Sequence, residues 1–195
     1  RTGGAARPAT SRAAVAPAWT SAPRVYLATG TGYADALSAC GAAAAEGAPV
    51  ILVNGNWASL DSLTVDALKA LGAKTAVLAG GPVAIPESIA TQLVGLGITV
   101  DRKGGADRYE TSRLLASAAY SSTAPHVYIA SGADFPDALS GAVLAGQQRA
   151  PLVVTLPGCL MGTVKDFMIT HATARATLIG GPAALSDAVL QSIRC

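Results

Sequence analysis

The sequence predicts an α/β fold organised as two tandem modules, each a small parallel sheet sandwiched by helices. Three observations lead to it. The chain matches itself at one offset, its strand-like segments are continuous apolar runs, and those runs alternate with Ala-rich helical stretches.

The repeat comes in four ordered blocks. RTGGAARPATSR (1–12) lies over RKGGADRYETSR (102–113), and VYLATGTGYADALSA (25–39) lies over VYIASGADFPDALSG (127–141). GAPVILV (47–53) matches RAPLVVT (149–155), and TAVLAGGPVAI (75–85) matches ATLIGGPAAL (176–185). The offset stays at roughly 101 residues, so the modules are 1–101 and 102–195.

Within each module the elements follow one order. A helix follows the RYETS-type start, about 107–120 in the second copy. The first strand is Arg24 to Thr29, or His126 to Ser131, and a turn leads to a helix starting near Asp35 or Asp137. The second strand is Val50 to Val53, or Leu152 to Thr155. A helix over about 60–71, or 162–172, precedes the third strand, Thr75 to Ala79 or Ala176 to Ile179. After Gly-Gly-Pro a last helix spans about 86–95 or 186–193, and Ile98 to Asp101 forms a fourth strand in the first copy. Strands without alternation indicate sheets buried on both faces, and parallel pairing with right-handed crossovers makes each module Rossmann- or flavodoxin-like. The second copy reaches Cys195 where the first goes on to its fourth strand. An uncovered edge is expected there, left by excision from a longer array or covered by a neighbouring chain.

Composition narrows the function. Half the residues are hydrophobic (51%) and only 13% are charged, against the usual quarter, so most segments can be buried on more than one side. A net charge of +2 gives no basic stripe for nucleic acid. No apolar run reaches the roughly 18 residues of a membrane span. No secretory signal is present, and the abrupt start at Arg1 reads as a mature or excised piece. Cys40, in ALSACGAAAA, reads as a buried, inert thiol. Cys159 and Cys195 either form a disulfide pinning the last helix to a loop, which would favour export, or stay reduced. The cysteine spacing fits no zinc signature and only two histidines are present, so no metal is expected.

Ligands of open parallel sheets bind beyond the carboxyl ends of the strands. Two duplicated loops lie there: Thr29 to Ser38 with Asp35 and Ser38, repeated as Ser131 to Ser140 with Asp137 and Ser140, and Gly80-Gly81-Pro82, repeated as Gly180-Gly181-Pro182. The glycines either let backbone N–H groups approach a ligand or simply serve tight turns, with Asp35 and Asp137 as helix caps. Gly30-Thr-Gly32 lacks the third glycine of a dinucleotide loop, and no acidic residue ends the next strand, so no cofactor is expected. His126 and His171 read as surface or strand-edge residues, and no Gly-x-Ser-x-Gly elbow supports Ser140 with His126 as a nucleophile and base. An enzyme is therefore not expected. In the polar start Arg108 to Thr111, Arg and Glu could pair with each other or reach a ligand; alternatively Thr10 and Thr111 start helices and the Arg packs across the module junction.

The order RKGGADRYET (102–111), VYIASGADFPDALS (127–140), an Ala-Pro strand (150–155) and LIGGPAALS (178–186) resembles the cell wall-binding repeat of type 2. The first copy fits less closely: it lacks Asp-Arg-Tyr-Glu and has Tyr33-Ala34 where that family shows Phe-Pro. The resemblance implies a protein exported by a Gram-positive bacterium and held non-covalently at the cell wall or cell surface through an anionic, teichoic-acid-like polymer. Such repeats occur in threes around a pseudo-threefold axis, often fused to an amidase, a protease or an adhesin. By the same resemblance, Asp35, Ser38, Gly80, Gly81, Asp137, Ser140, Gly180 and Gly181 line the polymer site, and Arg108, with Arg7, supplies charge. Two modules in place of three imply a homo-oligomer or a third repeat outside the fragment. The expected function is non-catalytic wall anchoring. The alternatives are a self-assembling structural or adhesive surface protein and, in a different class, a small-molecule enzyme.

Overall fold

The computed structural model describes residues 2–195; Arg1, the first residue of the repeat, lies outside them. Two compact units are present: Arg1–Ala36 with Gly47–Gly104, and Leu37–Glu46 with Gly105–Cys195.

The first unit holds α1 (Arg7–Val15), β1 (Arg24–Thr29), β2 (Val50–Val53), α3 (Ser62–Ala70), β3 (Thr75–Ala79), α4 (Glu87–Gly95) and β4 (Thr99–Lys103). The helix α2 (Ala34–Ala45) starts in it and passes at Leu37 into the second unit. All four strands are parallel, in the order β2-β1-β3-β4. Val25, Leu27, Ile51, Ala76 and Leu78 point from the sheet into a cluster closed by Leu68, Ile85, Ile89 and Leu93. Each of these Val, Leu and Ile side chains contributes about 1.5–3 kcal/mol on burial. Tyr26, Ala28, Val77 and Ala79, on alternate positions, are buried too, which explains the unbroken apolar runs.

One polar network ties α1 to α3. Arg12 Nη1 donates to Asp61 Oδ2 (3.2 Å) and Thr64 Oγ1 (2.7 Å), while Asp61 caps α3 by accepting from Thr64 N (2.9 Å). Burial opposes ionisation of Asp61, but the hydrogen bonds from Thr64 and the charge of Arg12 hold its carboxyl below the usual range. Asp61→Ala is expected to lower stability by about 1 kcal/mol, the usual effect of a lost cap. A carboxylate with a lowered folded pKa stabilises above its unfolded value, about 3.9, and ceases to as pH falls through the folded value. The difference between wild type and variant in thermal melts should therefore vanish in acid.

The second unit contains α5 (Arg108–Ala119), β5 (His126–Ser131), α6 (Pro136–Gln148), β6 (Leu152–Thr155), α7 (Gly162–Thr170), β7 (Arg175–Ile179) and α8 (Asp187–Leu190). Its parallel sheet has the order β6-β5-β7. Val127, Ile129 and Val153 bury on one face, while Tyr128, Ala130, Leu152 and Val154 bury on the other. Leu37 packs against this second cluster. With no strand paired beyond it among the described residues, β7 has an exposed start and a half-buried end, whereas its counterpart β3 is buried beside β4.

Three expectations are corrected, for the last helix, Cys40 and His171, and the open pairing of Cys159 with Cys195 is resolved. The last helix does not reach 193: Ser192 turns left-handed (φ 58°), and the chain returns to pair Leu160 N with Ile193 O (2.8 Å) and Cys195 N with Leu160 O (3.1 Å). Cys159 and Cys195 are joined, with their Cα atoms 5.2 Å apart. Cys40 is exposed on α2, although burial of part of its side chain pushes the thiol pKa up. His171 is buried, stacked on Phe167 at 4.2 Å with Nδ1 2.9 Å from the Phe167 carbonyl oxygen. His126 does lie at a strand start, 2.9 Å from Thr177 Oγ1.

Candidate binding loops at the strand ends

In each sheet the central strand has neighbours reached by connections running in opposite directions, which opens a crevice beyond its carboxyl end. The loops after β1 and β3 meet there in the first unit, and those after β5 and β7 meet in the second. Gly80 (φ 110°) and Gly180 (φ 125°) adopt backbone that favours glycine. The carboxylates of Asp35 and Asp137 lie over them: a Cβ on either glycine would stand 2.6 Å from the Asp Oδ2. Asp137 is inside the first turn of α6, whose cap is Phe135, so it does not serve as the N-cap.

The surroundings of the two glycine turns differ. Gly80 is buried: its N–H donates to Lys103 O (2.9 Å), and Arg102 Nη1 donates to the carbonyls of Gly80 (3.1 Å) and Ile85 (3.0 Å). Gly81 is half-buried, whereas Gly180 and Gly181 are exposed. Ser38 is buried, its hydroxyl without a hydrogen-bond partner among the described residues. Ser140 is exposed, and its hydroxyl donates a long bond to the Pro136 carbonyl, at 3.5 Å. Of the two serines, Ser140 alone is placed to meet a ligand from solvent.

The helix starts repeat closely. Arg7 Nη1 donates to Gly30 O (2.6 Å), and Arg108 Nη1 donates to Gly132 O (2.8 Å). Thr10 and Thr111 accept from Gly4 N (3.1 Å) and Gly105 N (3.0 Å), folding the preceding loop onto its helix. Glu110 pairs with Arg113 (2.6 Å). Arg108 is thus bound to the loop after β5 within its own unit, and Glu110 pairs with Arg113.

Two features escaped the sequence reading. Arg102 braces the Gly80 turn, and Tyr109 lays its ring on Gly132, with Cε1 2.5 Å from where a Cβ would stand. The one available signal for the second was Pro8 at the aligned position. The described residues contain no His, Cys, Asp and Glu cluster able to hold a metal ion and no helix long and apolar enough to cross a membrane.

The family model described as Cell wall binding domain 2 (CWB2) matches residues 1–90 and 102–190. The chain belongs to the CWB2 family. Its two CWB2 modules are 25% identical over 193 residues to the N-acetylmuramoyl-L-alanine amidase LytC of Bacillus subtilis, covering 99% of this chain and 38% of that protein. Over 79 residues they are 38% identical to MJ0755 of Methanocaldococcus jannaschii, 40% of this chain and 22% of that one. Among solved structures, Cwp6 from Clostridium difficile superposes with a TM-score of 0.88 at 24% identity, covering 98% of this chain and 30% of Cwp6. Cwp8 from the same organism gives 0.82 at 23%, with 98% and 34% covered. These likenesses establish the fold as that of the CWB2 structures. The chain spans about two fifths or less of each of these relatives. Membership places it among cell-wall and cell-surface binding modules.

Proposed function

We propose that the chain is a non-catalytic anchoring module that holds an anionic wall glycopolymer at the strand-end crevices. The carrying observation is that a CWB2 chain places the same carboxylate-over-glycine arrangement, Asp35 on Gly80 and Asp137 on Gly180, at the crevice of both sheets. In this reading Asp35 and Asp137 accept hydrogen bonds from sugar hydroxyls, and Ser140 with the turns Gly80-Gly81 and Gly180-Gly181 lines the path of the polymer. Arg108 meets the anionic substituents, as a guanidinium can while keeping its bond to Gly132 O. Ser38, being buried, does not touch the polymer. The LytC amidase is matched over 38% of its length, and the same wall-binding role is proposed for that shared part.

The test is retention of the purified chain on Gram-positive cell walls before and after acid removal of secondary polymers. Retention that disappears with the polymers is expected, and Arg108→Gln with Asp137→Asn should weaken it. Retention that survives extraction would assign peptidoglycan instead, and absence of retention would overturn the anchoring role.

Assembly is a second part of the proposal. Leu37 on α2 packs into the apolar cluster around Tyr128, whereas its repeat counterpart on α6, Leu139, is 51% exposed in a stripe with Phe135 and Val143. An exposed stripe of this kind fits a second copy of the chain or a third module.

A further inference from the structure

We infer that a cleft beside Arg7 in the first module is a site for one anionic sugar residue, a hexuronate or a hexose phosphate, and that Tyr109 closes the same position in the second module. The inference rests on the wall-polymer reading above and adds to the contact proposed for Arg108 a separate subsite for one residue in the first module. The cleft has a volume of about 310 Å³ and lies at the carboxyl ends of β1 and β2, lined by Arg7, Pro8, Gly30, Thr31, Val53 and Asn54.

The two modules share the frame around this position. Besides the Arg-to-glycine and Thr-to-glycine bonds already described, Ser11 Oγ accepts from Leu52 N (2.9 Å) and Ser112 Oγ accepts from Val154 N (3.0 Å). On that common frame the second module carries the Tyr109 ring against Gly132. In the first, the nearest atoms to a Cβ on Gly30 belong to Val53, Arg7 and Leu52, at 3.5–3.6 Å, and Pro8 is not among them. A six-membered ring that the second module supplies from its own chain is therefore missing from the first, and a pyranose is of similar size.

Charge changes in the same direction. In the second module Asp107 Oδ1 accepts from Glu110 N (2.8 Å) and Glu110 pairs with Arg113, so two carboxylates stand beside the Arg108 helix start. The aligned residues are Ala6 and Ala9, and Ala6 makes no side-chain cap. Arg7 is kept while both neighbouring carboxylates are gone, which favours an anion there. The lining also has the mixed character of a sugar site: Pro8 and Val53 face the C–H side of a ring. Thr31, fixed by its contact with Thr29 Oγ1 (2.8 Å), and Asn54, held by accepting from Asn56 N (3.0 Å), supply polar groups.

The experiment is an NMR titration of the whole chain with glucuronate, with glucose 6-phosphate and with neutral glucose, following the amides of Ala9, Gly30, Thr31 and Asn54. Saturable shifts at these amides with either charged sugar are expected, and the stronger of the two identifies the anion. Arg7→Gln should weaken the interaction by about tenfold, the usual consequence of losing one charged hydrogen bond. Pro8→Tyr should abolish it while the rest of the spectrum is unchanged, and Tyr109→Ala should create new shifts at Gly132 and Ala133. Should Pro8→Tyr not fold, the Arg7 and Tyr109 variants carry the test. Shifts that persist at full strength in Arg7→Gln or in folded Pro8→Tyr overturn the site. Wall retention without any shift removes the cleft and leaves the anchoring role, whereas shifts without wall retention support the cleft and remove that role.

Discussion

Reducing the Cys159–Cys195 bond is expected to destabilise the second unit by about 2–4 kcal/mol. The bond links residues 36 apart, and the chain-entropy relation puts the effect of a loop of that size near the top of this range. The other ties on the last residues are weak, among them Lys165 Nζ to Ser192 O and Arg194 Nη2 to Gly162 O, both at 3.2 Å. The helix α8 has four residues, Leu190 and Ile193 are exposed, and the return to Leu160 consists of two backbone hydrogen bonds. The Arg194–Asp166 pair (2.8 Å) is exposed and adds little. Chemical denaturation with and without a thiol reductant measures the effect, and Cys195→Ser without reductant should reproduce it. Alkylation provides an internal count: of three cysteines, only exposed Cys40 should react in the native, oxidised chain. A midpoint unmoved by reduction would show that the segment after α8 contributes no stability.

The second large effect is expected at Gly80. Gly80→Ala places a Cβ 2.6 Å from the Asp35 carboxylate and 2.8 Å from Ala84 Cβ, on backbone at φ 110°. Strain at such a φ costs about 1–3 kcal/mol and crowding a packed site another 1–3, so a loss of about 2–6 kcal/mol is expected. The turn cannot shift easily, since it is bonded to Lys103 and Arg102 and lies against Gly104. Gly180→Ala meets the same carboxylate distance from Asp137, but it is exposed and has no bracing strand beside it among the described residues. It should cost less than about half as much. Equal losses at the two positions would show that the fourth strand does not brace the turn.

Much of the fold was legible because the strands are buried on both faces. VYLAT and VYIAS are apolar without interruption, and the paired Gly-Gly-Pro turns mark where β3 and β7 stop. The duplicated loops marked one end of each parallel sheet, but the approach of Asp35 to Gly80, and of Asp137 to Gly180, is visible only in the structure. What could not be read depends on neighbours distant in sequence. The aligned serines look equivalent, yet Ser38 is buried and Ser140 exposed, because burial depends on what packs over each helix. The short α8 reflects a disulfide whose formation the cysteine spacing left open. Arg108 gave no hint of its bond to Gly132, since the partner is a carbonyl, and a carbonyl leaves no residue type to recognise. Pro8, aligned with Tyr109, gains its meaning only from the place of the Tyr109 ring against Gly132.

The division of the chain at Leu37 bears on how such proteins can evolve. Residues Leu37–Glu46 are encoded in the first repeat but counted, by packing, with the second unit. The stretch that duplicates and the body that folds are therefore out of phase by most of a helix. A lone copy of residues 102–195 would lack that helix. Inheritance in tandem then supplies the second unit with a helical segment that its own repeat does not encode.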